Sequence, residues 1–188
     1  MTEPNGNQPS AEDLTPSLVT YLRQGNAAAG ALLDQIYRSQ LIRFCYGYLG
    51  STEEAEDVVQ DVFFRVLKSD AVPDNFRAWI YKICRNRCID VLRARSRKRD
   101  DAELPTGSFL DAELTGHLTR LVKRELRSQL RHLVATLPPN QREVLRLRYS
   151  EGLSRLEIAE VLDLPESVVK SRLYEGIVKL RDHPSLQG

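Results

Sequence analysis

Apolar residues recur along this chain at helical spacing, and nowhere do they alternate with polar ones as in a half-buried strand. The first recurrence predicts a short helix over 18–24, stopped by Gly25. A longer helix is expected over 27–49, with Leu32, Leu33, Ile36, Tyr37, Ile42 and Phe44 among its apolar positions and Gly50 as its C-terminal cap. Ser51 followed three residues later by Glu54 has the pattern of a capping box. In the helix it opens, Val59, Val62, Phe63 and Val66 stand at i, i+3, i+4 and i+7, a stripe that faces a core. Residues 70–75, with Pro73, break that helix. The next runs from Phe76 into a basic stretch and turns Phe76, Ile80, Ile83, Cys84 and Val91 inward. A first helical domain over 17–99 results, preceded by a Pro-, Asn- and Gly-rich stretch, 1–16, whose composition predicts disorder.

Residues 100–116, which include Pro105 and Gly107, read as a flexible linker. Periodicity resumes through Leu118, Leu121, Val122, Leu126, Leu130 and Leu133, until Pro138 and Pro139 end it. Three short helices are expected after that, over 141–149, 155–162 and 166–181, with Ser154 and Glu157 as a second capping box. Asp163, Leu164 and Pro165 make the tight connection of a helix-turn-helix. Packing accounts for Val144, Leu145, Leu147, Leu153, Ile158, Ala159, Leu162, Val169, Leu173, Ile177 and Leu180, Ala159 being small enough for two helices to cross closely. The fold class is therefore all-α: two small helical domains, 17–99 and 117–188, joined by a flexible linker.

Composition narrows the function classes. Of 188 residues, 41% are hydrophobic and 28% charged, the balance of a soluble globular chain. No apolar run approaches the roughly 20 residues that span a bilayer. The first residues have neither the basic nor the apolar region of a signal peptide, so no membrane insertion and a cytoplasmic location are expected. The three cysteines form no CxxC pair and the three histidines lie far from them, so no metal site or cofactor is expected. Cys84 and Cys88, one helical turn apart, read as small buried hydrophobes. With no P-loop, nucleophile elbow or metal-ligand set, the chain is not expected to be an enzyme.

The net charge of +1 conceals segregated blocks. Arg93, Arg95, Arg97, Lys98 and Arg99 are followed by Asp100, Asp101, Glu103, Asp111 and Glu113. This suits a face that meets phosphate beside a segment that avoids it, and equally a solvated helix end before a solvated linker. The last helix turns Glu166, Ser167, Lys170, Ser171, Arg172 and Tyr174 outward, the short polar and cationic side chains that a helix entering the major groove requires.

The segment LPPNQREVLRLRYSEGLSRLEIAEVLDLPESVVKSRLYEGIVKLR resembles sigma domain 4, and it is also similar to the helix-turn-helix of response-regulator activators. AEDVVQDVFFRVL followed by FRAWIYKICRNRCIDVLRARSRKR resembles sigma domain 2 of extracytoplasmic-function (ECF) sigma factors, which consist of these two domains. The two resemblances together separate the possibilities. They imply core RNA polymerase and promoter DNA as partners and, as for many relatives, an anti-sigma factor.

They also imply roles for residues. Asp57, Gln60, Asp61 and Phe64 would meet the clamp helices of the polymerase β′ subunit, Phe64 being either an exposed anchor of that surface or a core residue against another helix. Lys82, Asn86, Arg93 and Arg97, on one face with Asp90, would read the −10 element, and the loop from Asp70 to Asn75 would pocket a flipped base. Asp90 reads as an ion-pair partner of Arg93 or a neighbouring Arg in preference to a base contact, and Trp79 as core in preference to a stacking platform. The −35 element would fall to Arg155, Glu166, Ser167, Lys170, Ser171, Arg172 and Tyr174. The chain departs from the family pattern at Val168, where a Thr is common, and at Arg155, where an aromatic is. The rival reading is a helix-turn-helix activator or repressor that never enters polymerase, but the first domain has no sensor, receiver or dimerisation pattern.

Overall fold

The computed structural model describes residues 11–98 and 133–183, and among them the chain is helical without strands. The linker reading of 100–116 and the apolar periodicity from Leu118 to Leu130 lie outside the described residues, as do residues 1–10.

Four helices form the first domain: α1 (Ala11–Arg23), α2 (Ala28–Leu49), α3 (Thr52–Leu67) and α4 (Phe76–Lys98). α1 begins earlier than expected, and residues 11–16, whose composition predicts disorder, are its first turns. Tertiary packing outweighs composition there. Leu14, Leu18, Val19 and Leu22 lie against the core, and Thr15 Oγ1 stands 3.0 Å from the Tyr37 hydroxyl. That anchorage offsets Pro16, which stands inside the helix and cannot donate a backbone hydrogen bond. Gly50 ends α2 at φ 69°, a left-handed conformation that costs glycine little, and its N–H donates to Tyr46 O at 2.8 Å. Ser51 then caps α3 by accepting from the Glu54 N–H at 3.4 Å. The Glu54 carboxylate is taken by Arg95 of α4, which ties α3 to α4.

Val59, Val62, Phe63 and Val66 are buried as their spacing requires. They meet an aromatic centre in which the Phe44 ring lies 5.0 Å from Tyr81 and Tyr37 lies 5.7 Å from Phe76. Cys45, Cys84 and Cys88 are buried free thiols between α2 and α4. Hydrogen bonding with Cys84 pushes the Cys45 thiol up, and burial adds to it, so it stays neutral and behaves as a small apolar group. Trp79 packs on Phe76 at 5.7 Å, as a core reading implies.

The second domain comprises α5 (Pro139–Tyr149), α6 (Arg155–Leu162) and α7 (Glu166–Arg181). α5 starts two residues before its expected position because proline suits the first turn of a helix, where its missing N–H has no partner to lose. Ser154 and Glu157 complete the expected capping box of α6. Asp163 makes the turn at φ 54°, a conformation aspartate tolerates better than most residues. One packing expectation is corrected. Gly176 makes a close helix approach of its own, where an added Cβ would stand 2.9 Å from Leu145 Cδ1, and Ala159 packs half-buried against the core. Ile177, expected in the core, is 42% exposed because Gly176 takes the inward position. The second domain folds back on the first, with α6 along α4 and α5 over α2, and one apolar cluster runs through both.

Candidate nucleic-acid interface

The outward half of α7 is open. Ser167, Lys170, Ser171 and Tyr174 are exposed, Tyr174 at 70%, while Glu166 and Arg172 are half-buried. Arg155, at the start of α6, reaches Glu166 of α7 at 3.2 Å across the turn. Asn140, Ser167, Val168, Ser171, Arg172 and Glu175 line a shallow open depression beside them. Val168, the departure from the family pattern, sits in this depression. Ser171 donates to Glu175 at 2.9 Å, so its hydroxyl has a local partner on the same helix.

The face of α4 is divided. Asn86, Asp90, Arg93 and Arg97 are exposed, with Asp90 3.8 Å from Arg93, the ion pair that its spacing suggests. Nearer the start of the helix, the candidates already hold partners from the second domain. Lys82 pairs with Asp163 in the turn. The Asn75 amide donates to Glu160 at 2.7 Å, while its carbonyl accepts from the Ala78 N–H and caps α4. Asp70 is exposed on the loop, which Arg23 of α1 holds through Asp74 at 2.7 Å and the Val72 carbonyl at 3.0 Å.

The third candidate surface lies on α3. Asp57, Gln60, Asp61 and Phe64 are all exposed, opposite the buried stripe. Phe64 is 60% exposed, which decides between its two readings: it is a surface aromatic, with the Lys68 ammonium 4.1 Å from its ring centre. Asp61 is not free, since Arg87 of α4 holds it at 2.8 Å.

Sequence reasoning missed a group of residues between the domains. Arg85 of α4 grips Glu143 of α5 with two hydrogen bonds of 2.7 and 3.2 Å, and Tyr48 donates to the same carboxylate at 2.7 Å. Burial alone would lower the Arg85 pKa, but the adjacent Glu143 carboxylate outweighs it and holds the guanidinium charged. Arg77 donates to the Glu151 carbonyl at 2.6 Å and lies 3.6 Å from Glu157. Tyr81 donates to the buried Glu151 carboxylate at 3.1 Å. Burial raises the pKa of Glu151, and Arg146, Arg43, Tyr81 and Arg77 oppose the rise.

Arg146 itself is buried, its guanidinium 4.1 Å from the Tyr48 ring centre and 4.6 Å from that of Phe44, donating to the Phe44 carbonyl. An arginine between Leu145 and Leu147 reads as solvated, because its anchor lies 102 positions away in the chain. The available signal was the row Arg77, Tyr81, Arg85, spaced one helical turn apart on α4.

Comparison with known proteins places both domains. Residues 33–98 match the family Sigma-70 region 2, and residues 127–180 match Sigma-70, region 4. The chain is 31% identical over 182 residues to the ECF RNA polymerase sigma factor SigW of Bacillus subtilis, covering 87% of this chain and 92% of that one. Among solved structures, it is similar in fold to CnrH in complex with the cytosolic domain of CnrY. That likeness has a TM-score of 0.61 and 23% identity, covering 87% of this chain and 92% of CnrH. It is also similar to the sigma factor RpoE of Bartonella quintana, solved with the anti-sigma factor NepR, at a TM-score of 0.59 and 20% identity over 91% and 96% of the two chains.

Proposed function

The chain belongs to the ECF sigma factors of bacterial RNA polymerase, which direct promoter recognition without catalysing a reaction, and on that premise we propose that three separate surfaces divide its work. Asp57, Gln60, Asp61 and Phe64 on α3 bind the β′ clamp helices of core polymerase. Lys82, Asn86, Arg93 and Arg97 on α4, with Asp70 and Asn75 of the preceding loop, meet the −10 strand. Arg155, Glu166, Ser167, Lys170, Ser171, Arg172 and Tyr174 meet the −35 duplex.

One observation carries this reading. The outward side of α7, preceded by the tight turn at Asp163, leaves short polar and basic side chains exposed where a recognition helix presents them to the major groove. A surface aromatic in a polar patch, as Phe64 is, suits the anchor of a protein interface. The activator-or-repressor alternative is not favoured, because region 2 matches the whole stretch 33–98. A cytoplasmic location is part of the proposal, since the polymerase is there. Among the described residues no helix is long and apolar enough to cross a membrane. An anti-sigma factor is the remaining proposed partner, the class with which the Bartonella RpoE was solved.

The test is run-off transcription from a cognate promoter with purified core polymerase. The chain should bind duplex DNA weakly and with strong salt dependence when alone, and specifically once core enzyme is added. Tight, sequence-specific binding by the chain alone, unaffected by core enzyme, would favour the activator or repressor.

A further inference from the structure

Glu175, on the outward side of α7, stands outside the sequence candidates. It is exposed, lies one helical turn beyond Ser171 and Arg172, and with them lines the depression that Asn140 of α5 also borders. Both of its carboxylate oxygens are held. Oε1 accepts from the Ser171 hydroxyl at 2.9 Å, and Oε2 accepts from the Gln141 amide at 2.7 Å. Gln141 is 4% exposed, in the first turn of α5. It reaches Glu175 because the next residue on α7 is Gly176. A Cβ there would stand 2.9 Å from Leu145 Cδ1 and 3.7 Å from Gln141 Cβ, so glycine lets the two helices lie this close.

These two partners are neutral donors, so they fix the side chain without offsetting its charge. A glutamate already held in one geometry loses little further rotamer freedom when it binds. An ionised carboxylate only accepts, at about four lone-pair sites, so two donors leave it capacity for another hydrogen bond. On a helix in the major groove that capacity discriminates between bases. The donors there are the amino groups of cytosine and adenine. Adenine sets its amino group beside the N7 acceptor, which suits an amide and repels a carboxylate, whereas cytosine offers its amino group alone. Ser171, its proton committed to Glu175, likewise turns only lone pairs toward a base.

We infer that Glu175 determines specificity in the −35 contact by accepting from the N4 amino group of a cytosine, and that Gln141 of α5 positions it for this. The inference deepens the proposed function and rests on its assignment of the outward side of α7 to the −35 duplex. Lys170 and Arg172 bring donors, which suit guanine or phosphate; Glu175 brings the acceptor that neither can supply. Its charge also keeps phosphate away from this point of the helix, which helps to set the register of α7 in the groove.

The test is selection by holoenzyme, the full chain with core polymerase, from promoter duplexes randomised across the −35 element. At one position the wild type should favour cytosine about tenfold, the discrimination of a good base contact. Glu175→Gln keeps the tie between the helices, because the new amide can accept from Ser171 and donate to Gln141 once the Gln141 amide turns over. Its preference at that position should move from cytosine to adenine, the base that an amide matches. Glu175→Ala should show no preference there. Gln141→Met, similar in length but without a donor, should lower the cytosine preference severalfold. The other positions should be selected as in the wild type, with circular dichroism as the folding control.

A wild-type profile in both Glu175 variants would overturn the inference and leave Glu175 a tie between α5 and α7. So would a wild-type preference for another base at the position that Glu175→Ala flattens. If Gln141→Met weakens all sequences alike and keeps the cytosine preference, Gln141 is structural and its positioning role falls. Failure of the proposed function looks different: wild-type holoenzyme would select nothing across the −35 element, and the inference would fall with its premise.

Discussion

The outward faces of α4 and α7 look alike as sequence, each a polar and basic stripe along a helix, but the fold treats them oppositely. The α7 face is presented to solvent, and its partners are local: Ser171 with Glu175 on the same helix, and Arg155 with Glu166 across the turn. The first half of the α4 face is occupied from 70 to 85 positions away, by Glu151, Glu160 and Asp163 among others. A stripe of polar residues therefore says that a helix side is not core; it does not say whether that side is free.

The largest expected effect tests the open side of the comparison. Replacing Lys170 and Arg172 together with Ala should weaken promoter binding by holoenzyme by about 1–3 kcal/mol for each base edge that either side chain reads. If the two side chains meet phosphate only, all sequences should weaken alike and the salt slope should flatten. Unchanged affinity in a filter-binding or anisotropy titration would remove α7 from the reading.

Next in size is Phe64→Ala on the third surface. An exposed aromatic that anchors an interface should cost about 1–2 kcal/mol of core-polymerase affinity when truncated. Circular dichroism should be unchanged, because the side chain lies off the buried stripe. An equal loss from Leu67→Ala, another exposed apolar residue on α3, would show a general stickiness instead of a defined anchor.

Asn86→Ala sharpens the covered side. Asn86 lies on α4 beyond the part closed by the second domain and is exposed. The substitution should leave closed-complex formation intact, slow strand opening in permanganate footprinting, and be rescued by a pre-melted template. The expected loss is about 1 kcal/mol, one hydrogen bond. If pre-melting does not rescue it, Asn86 acts elsewhere than on the opened strand.

Much of this was legible in the sequence for a physical reason. The Val59, Val62, Phe63, Val66 stripe, the Ser154–Glu157 box and the turn at Asp163 are local patterns, set by residues a few positions apart, and the structure shows each of them. The places that misled are those where distant chain decides. Residues 11–16 are helical because Leu14 and Leu18 find a core on α2 and α4, and Ile177 is exposed because Gly176 meets Leu145. The exposure of most site residues was readable from helical spacing, whereas the half-burial of Asn75, Lys82, Glu166 and Arg172 and the partners of Asn75 and Lys82 were not. A carboxylate on α6 carries no mark in its own neighbourhood that it will meet α4.

The smallest expected effect is a pH dependence of the contact between the two domains, and it isolates one group. The Glu151 carboxyl is buried where the domains meet, facing Tyr81 and Arg77 of α4, Arg43 of α2 and Arg146 of α5. Burial raises its pKa, and the three arginines and the Tyr81 hydroxyl recover only part of that cost. When the domains part, the carboxyl regains water and returns toward its ordinary range. The chain therefore binds this proton more tightly with the domains in contact than with them apart. Its contribution to the contact is fully present below the ordinary carboxylate range and is lost as pH rises through the raised value. Glu151→Gln keeps the shape and a hydrogen-bond acceptor but cannot ionise. Scattering dimensions of the wild-type chain should thus expand as pH rises across that interval, by more than those of Glu151→Gln. Other titrating groups are common to both proteins and cancel in the difference. A difference of the opposite sign, with the wild type tightening as pH rises, would mean that attraction to Arg146, Arg77 and Arg43 exceeds the cost of burial. The Glu151 carboxylate would then be a strut of the contact between the domains.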